Sequence, residues 1–276
     1  MPATKAQIRQ IIADNNLNSV DDGKGVLTQF YRQLTPEQLS SIKVVTGDGA
    51  KWITECVNEF TPDCERCVDP FHVVEWAMEA LDEVRREAWR EAYSEAVQLA
   101  RKHPRGKGRP RADDAEAAIV KAAREKAEDI KNSAYALGKA PEHLTGNQQA
   151  KVAMIAGNNN RLYRAYRMKE TLRLLLKFKD TGEAQEALKR WLWWASHSRI
   201  SAFRELNQKI RRHKEHILNT IRLGMSNARI EATNNKIKLI VRKAYGFRNI
   251  QNMLDMVYLV CSDLKIPLPN RKPKNA

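Results

Sequence analysis

Residues 42–72 read IKVVTGDGAKWITECVNEFTPDCERCVDPFH, and the order of segments within them decides the fold class. Ile42, Val44 and Val45 form a β-rich run that ends at Thr46-Gly47-Asp48-Gly49, where two glycines let the backbone turn sharply. Residues 50–60 then carry helical spacing, Pro62 ends that helix, and 64–68 is a second short strand candidate leading into Asp69-Pro70-Phe71-His72. Just upstream, Val26, Phe30, Tyr31 and Leu34 recur at three- and four-residue steps, which predicts an amphipathic helix over 25–34. Helix, strand, helix, strand is the grammar of a parallel α/β sheet. Sites in such sheets lie at the carboxyl ends of strands, where Asp48 and Asp69 both fall.

Outward from this stretch the pattern changes. The first 22 residues are polar, with Ile8, Ile11 and Ile12 at helical spacing and no strand pattern. From Val73 onward the chain reads as successive helices. The first runs over 73–102, with Val73, Trp76, Ala80, Leu81, Val84, Ala88 and Tyr93 facing inward. It stops at the linker RKHPRGKGRPRA, 101–112, whose six Lys/Arg and lack of acids call for solvent or phosphate. Further helices are predicted over 113–137, 147–156, 161–179, 182–197, 201–223, 228–245 and 249–263, followed by a basic tail.

Composition narrows the function classes. With 276 residues, 42% apolar and 29% charged, the chain can bury a sizeable core, which excludes a disordered tail or a small disulfide-stapled module. A formal net charge of +15 makes a polyanion the leading partner. Four cysteines, Cys56, Cys64, Cys67 and Cys261, are too few for a disulfide scaffold and suit a reducing compartment. The apolar runs at 191–195 and 256–261 fall far below the ~20 residues that span a bilayer. The opening residues carry no secretory core, so a cytoplasmic location is expected.

The most informative chemistry lies in 224–249, GMSNARIEATNNKIKLIVRKAYGFRN. On a helix starting near Asn227, Ile230, Thr233, Ile237, Ile240, Val241 and Ala244 form one apolar stripe expected to pack on the core. Glu231 lies off that stripe, followed along its own face by Asn235, Lys238 and Arg242. A solvated, ion-paired helix face is the ordinary reading, but Asn234-Asn235 in mid-helix argues for a polar contact, because asparagine is a poor helix former. Arg229, Lys236, Lys238, Arg242, Lys243 and Arg248 stand against that one acid, which favours contact with a DNA backbone.

The strings NARIEATNNKIKLIVRKAYGFRN, TGDGAKWI at 46–53 and VDPFHVVEWAMEALDEVRRE at 68–87 closely resemble the catalytic domain of bacterial insertion-sequence transposases of the ISL-three group. The likeness covers about 25–261. The resemblance implies an RNase H-like fold interrupted by a long all-helical insertion, mostly helical overall, with three acids holding two Mg²⁺ or Mn²⁺ ions for DNA cleavage and strand transfer. Asp48 matches the second acid and Glu231 the last, so both are candidate catalytic and metal-holding residues. Asp69 and His72 match the D-x-x-H signature as accessory residues; His72 alternatively caps a helix start. Carboxylates suit the chemistry because two cations about 3.5 to 4 Å apart stabilise the attacking and leaving oxygens of a phosphodiester displacement.

The same pattern calls for a first aspartate on an earlier strand, followed by two more strands. Such strands need roughly 25 residues or more, and Asp14, Asp21 and Asp22 look wrongly placed for that role. The expectation is therefore an N-terminally truncated, catalytically impaired copy with an incomplete two-metal site. The expected domains are a poorly ordered or helical remnant over 1–24, part of the catalytic core over 25–72, a helical insertion over 73–223, the core's C-terminal helices over 224–263 and a basic tail over 264–276. The expected partner is DNA, at element ends and target, bound by a homo-oligomer that is cytoplasmic, nucleoid-associated and free of membrane. The alternative is a non-catalytic DNA-binding or transposase-inhibiting fragment. Cys64-Glu65-Arg66-Cys67 has metal or redox spacing but no second pair to complete a tetrahedral set. Trp191, Trp193 and Trp194 are assigned to the helical core rather than to stacking on bases.

Overall fold

The β-branched run and the Cys64–Val68 run do become neighbouring strands. In the computed structural model, which describes residues 23–103, 115–226 and 228–261 and, within these, all side chains but those of 228–231, α1 (Gly23–Arg32) and α2 (Pro36–Ser41) precede β1 (Val44–Gly47). Then come α3 (Lys51–Phe60), β2 (Glu65–Val68) and the long α4 (Pro70–Lys102). The helical series continues as α5 (Ala115–Lys131), α6 (Ala134–Gly138), α7 (Gly146–Asn158), α8 (Asn160–Leu175), α9 (Thr181–His197), α10 (Ser201–Arg212), α11 (Lys214–Leu223), α12 (Ala228–Lys243) and α13 (Ile250–Cys261). The described chain is mostly helical, with one two-stranded parallel sheet. The expected N-terminal remnant (but for its last two residues), most of the basic linker and the basic tail lie outside the described residues.

By its contacts the described chain divides into two compact units. One contains α1 to α3 with α12 and α13. There α1 packs on α3 through Tyr31, 2% exposed, which stacks on Phe60 with ring centroids 5.3 Å apart. Lys24 Nζ lies 2.7 Å from Glu55 on the same interface. The short α2 was not predicted; Thr35 and Gln38 form a capping box around its start, which stabilises a helix too short to show periodicity. In the α12–α13 pair, Ile237, Ile240 and Val241 are half-buried while Thr233 and Ala244 are exposed. The stripe expected to pack on the core is thus only partly covered.

The other unit holds the sheet and α4 to α11. Its parallel register pairs Val44 with Glu65 and Gly47 with Val68. The outer edge of β2 is covered by α11, where Thr220 Oγ1 donates to Val68 O at 2.7 Å and Asn219 Nδ2 to Arg66 O at 3.2 Å. Side-chain donors here occupy carbonyls that a further strand would otherwise take. The axis of the unit is α4, capped by Asp69 with Pro70 in its first turn, and packed on α5, α8 and α10. Its buried stripe is Val73, Trp76, Ala77, Ala80, Leu81, Val84, Ala88, Ala92 and Ala96, whose small residues let neighbouring helices approach closely. Tyr93, expected to face inward, is 57% exposed. Five residues past Ala88 it lies about 140° around the helix, and Ala92 takes the inward place.

Two long helices predicted from periodicity are broken. The stretch 113–137 divides at Asn132-Ser133, where the Ser133 hydroxyl donates to Ile130 O at 2.7 Å. The stretch 201–223 divides at His213, whose backbone (φ −104°, ψ 12°) leaves the helical region between α10 and α11. No helix among the described residues is long and apolar enough to cross a membrane.

Candidate active site

The parallel register sets the site. Because Gly47 lies opposite Val68, the next residues out, Asp48 and Asp69, leave the sheet at the same carboxyl edge, and Asp69 N donates to Gly47 O at 2.9 Å. Asp48 is exposed, and its Oδ1 accepts a 2.9 Å hydrogen bond from Ala50 N, closing the turn that starts α3. That leaves Oδ2 open to a ligand. The backbone oxygen of Asp48 accepts from Nη2 of Arg66, a guanidinium only 5% exposed that also reaches the carbonyls of Val45 and Cys67. Arg66 thereby ties the two strand ends together from beneath.

Asp69 is 4% exposed, and its carboxylate accepts from Phe71 N at 3.3 Å as the helix cap of α4. His72 Nδ1 pairs with Glu75 at 2.9 Å, one turn along the helix. Of the two D-x-x-H residues, the aspartate therefore has a helix-capping geometry and the histidine a carboxylate partner of its own.

Gly49 explains how closely the turn is held. A Cβ there would sit 2.5 Å from the Trp76 ring and 3.2 Å from His213 Nε2, so only glycine fits. Trp76 carries Lys209 Nζ 4.1 Å from its ring centroid, and the His213 ring centre lies 5.5 Å away. His213 in turn faces His216 at 5.8 Å. Burial, together with the charges of His216, Arg212, Arg66 and Lys209, pushes His213 down to about 4. Burial likewise lowers His216 and Lys209. The Nδ1 atoms of both histidines are buried and make no hydrogen bond among the described residues.

Glu231 and Arg229 lie on α12, with their side chains outside the description. On the same helix Asn234, Asn235, Lys236, Lys238, Arg242 and Lys243 are exposed, and Arg248 is exposed in the connection to α13. Asp48 belongs to the unit with the sheet and α12 to the other. Among the described residues no group of three or more His, Cys, Asp or Glu side chains is arranged to hold a metal ion.

The family profile described as transposase, that of the ISL-three DDE group, matches residues 18–257, spanning the sheet edge, the helical series and α12. The chain belongs to this transposase family. The transposase for insertion sequence element IS1557 of Mycobacterium tuberculosis, strains CDC 1551 / Oshkosh and H37Rv, is 42% identical over 249 residues, covering 90% of this chain and 54% of the relative. The transposase for insertion sequence element IS1001 of Bordetella parapertussis is 25% identical over 221 residues, covering 80% of this chain and 48% of the relative. The chain spans about half the length of the curated relatives it matches. No solved structure matches it at a significant level.

Within the chain the three tryptophans of α9 have separate fates. Trp191 is 1% exposed and donates Nε1 to Met168 O at 2.9 Å, and Trp194 is half-buried with Arg167 over its ring. Trp193 is 64% exposed and stacks on His197 at 4.5 Å, contrary to the assignment of all three to the core. Three aromatics within four helical residues point in different directions, so one helix face cannot bury them all. Cys67 is buried in β2, where burial pushes its thiol up. Lys209, His213 and His216 were missed by sequence reasoning. Nothing in their local pattern separates them from an ordinary amphipathic helix.

Proposed function

We propose that this chain carries part of an RNase H-like catalytic core that cleaves DNA phosphodiesters and transfers strands in a metal-dependent reaction, with Asp48 and Glu231 as its acids. The supporting observation is the placement of Asp48, exposed with one carboxylate oxygen uncommitted, at the carboxyl edge of a parallel sheet in a member of a transposase family. Residues 25–72 and 224–263 would form the core and 73–223 the insertion. A divalent cation such as Mg²⁺ or Mn²⁺, held by Asp48 and Glu231, would stabilise the oxygens at the phosphorus undergoing displacement. The attacking oxygen would be that of water in cleavage and a DNA 3′-hydroxyl in joining. Arg229, Asn234, Asn235, Lys236, Lys238, Arg242, Lys243 and Arg248 would hold the DNA backbone, with a homo-oligomer on the element ends and the nucleoid as its setting.

The test is Mg²⁺- or Mn²⁺-dependent nicking of a duplex carrying the element's terminal repeat. Cleavage is expected in the wild-type chain, at a low level if the copy is impaired, and should vanish in Asp48→Ala and Glu231→Ala. Cleavage that survives both substitutions would sink the proposal. The net charge of +15 also fits one other reading, a non-catalytic DNA-binding or transposase-inhibiting fragment. Metal-independent, salt-steep binding unaffected by both substitutions, without cleavage under any condition, would establish that reading instead.

A further inference from the structure

We infer that Lys209, carried to the Asp48 turn by the helical series and seated on the face of Trp76, is a DNA-phosphate-binding residue of this site; this rests on reading Asp48 as catalytic. The first observation is the way its ammonium is held. Lys209 Nζ lies 4.1 Å from the Trp76 ring centroid and has no hydrogen bond or ion pair among the described residues. An aromatic face attracts the cation without supplying a lone-pair acceptor, so the N–H donors that face away from the ring stay available to an anion. Two paired lysines show the contrast. Lys169, 1% exposed, is committed to Glu170, and Lys24 to Glu55.

The second observation is where that ring lies. The Trp76 ring that carries the ammonium is the same one that leaves no room for a Cβ at Gly49, directly after Asp48. Lysine, indole and the Asp48–Gly49 turn are therefore stacked, and the charges that Lys209 experiences are, in falling order, those of Glu79, Arg212, Glu75 and Asp48. Among the described residues no carboxylate is close enough to neutralise it by direct pairing. His213, on the same indole, is kept uncharged at neutral pH by burial and nearby cations. It supports the ring without adding a competing charge. Arg66, a further cation at this edge, donates to strand carbonyls.

A compact ammonium beside a carboxylate edge, in a chain of net charge +15, fits a backbone phosphate oxygen. A neutral ligand would gain little from an unpaired charge. The helices between β2 and α12 thus supply part of the binding edge, in addition to any structural task.

The experiment uses the full chain and a short duplex carrying the element's terminal repeat. Lysine acetylation by an N-hydroxysuccinimide ester, read by mass spectrometry, should be several-fold slower at Lys209 when the duplex is bound. In parallel, affinity is measured against salt. Lys209→Met should lower the slope of log K against log salt by about 0.9, the share of one phosphate contact, while Lys209→Arg keeps it. Circular dichroism melting of both variants separates this from lost folding, since a packing role alone would move the melt and not the slope. If Lys209→Met does not fold, the wild-type labelling decides. Equal labelling of Lys209 in free and bound chain, or an unchanged slope in folded Lys209→Met, overturns the inference. If metal-dependent cleavage still requires Asp48 in that case, the functional reading stands and only the role of Lys209 falls. A wild-type chain with no salt-dependent DNA binding removes both.

Discussion

Acidification should loosen the sheet-bearing unit through His213. Its imidazole is pushed down to about 4, first by burial and then by His216, Arg212, Arg66 and Lys209, whereas an unfolded histidine titrates near 6.5. In the window between these values the unfolded chain binds a proton that the folded chain does not, so stability is complete above about pH 6.5 and is lost as the pH falls toward 4. At 1.36 kcal/mol per pH unit the loss amounts to roughly 2–3 kcal/mol for this side chain, with partial exposure setting the lower end. The assay is urea unfolding of the full chain followed by tryptophan fluorescence, at several pH values across that window, for wild type and His213→Gln. Carboxylate protonation affects both proteins alike, so the difference between their pH slopes isolates the imidazole. The wild-type curve should fall more steeply, by roughly 2 kcal/mol across the window. Parallel curves would refute the account of His213 as a neutral support for the Trp76 ring.

Gly49→Ala should destabilise the chain by about 1–3 kcal/mol, because its methyl must displace the Trp76 ring; near-ultraviolet circular dichroism would report the moved indole, and an unchanged spectrum and melt would contradict the packing. Trp191→Ala should lose about 3–5 kcal/mol, since a filled core site and a hydrogen bond to Met168 both disappear. Trp193→Ala, by contrast, should stay within about 0.5 kcal/mol in the same denaturation experiment. Lys169→Met should cost about 3 kcal/mol by urea titration, because it removes one partner from the buried set in which Glu170 binds Lys169 and Arg173, with Arg173 also bound to Glu142.

Much of the secondary structure was legible because its signals are local. The β-branched run before Thr46, the two glycines flanking Asp48 and the four-residue apolar steps of α4 are short-range patterns, and the strands and helix appear within a few residues of their expected bounds. Errors arise where one residue outweighs periodicity. Ser133 and His213 each interrupt a helix whose apolar spacing continues across the break, and Thr35 with Gln38 starts one too short to have a period. Asp69 and His72 were legible as a motif, yet helix capping and the bond to Glu75 are set by backbone geometry at the start of α4.

From the order of its residues alone, the chain is committed to a parallel strand pair with Asp48 at its carboxyl end, to a long helical series and to a strongly cationic surface. These follow from side-chain spacing, backbone preference and charge, which act over a few residues or simply add. Only the tertiary structure decided that Trp76, Lys209 and His213 would surround the Asp48–Gly49 turn, and that Trp191 would be buried while Trp193 is left in solvent. Residues some 160 positions apart meet there because helices remote in sequence pack together, α10 on α4 and α11 on β2. That choice of neighbours minimises exposed area for the whole unit and leaves no mark in any local stretch of the sequence.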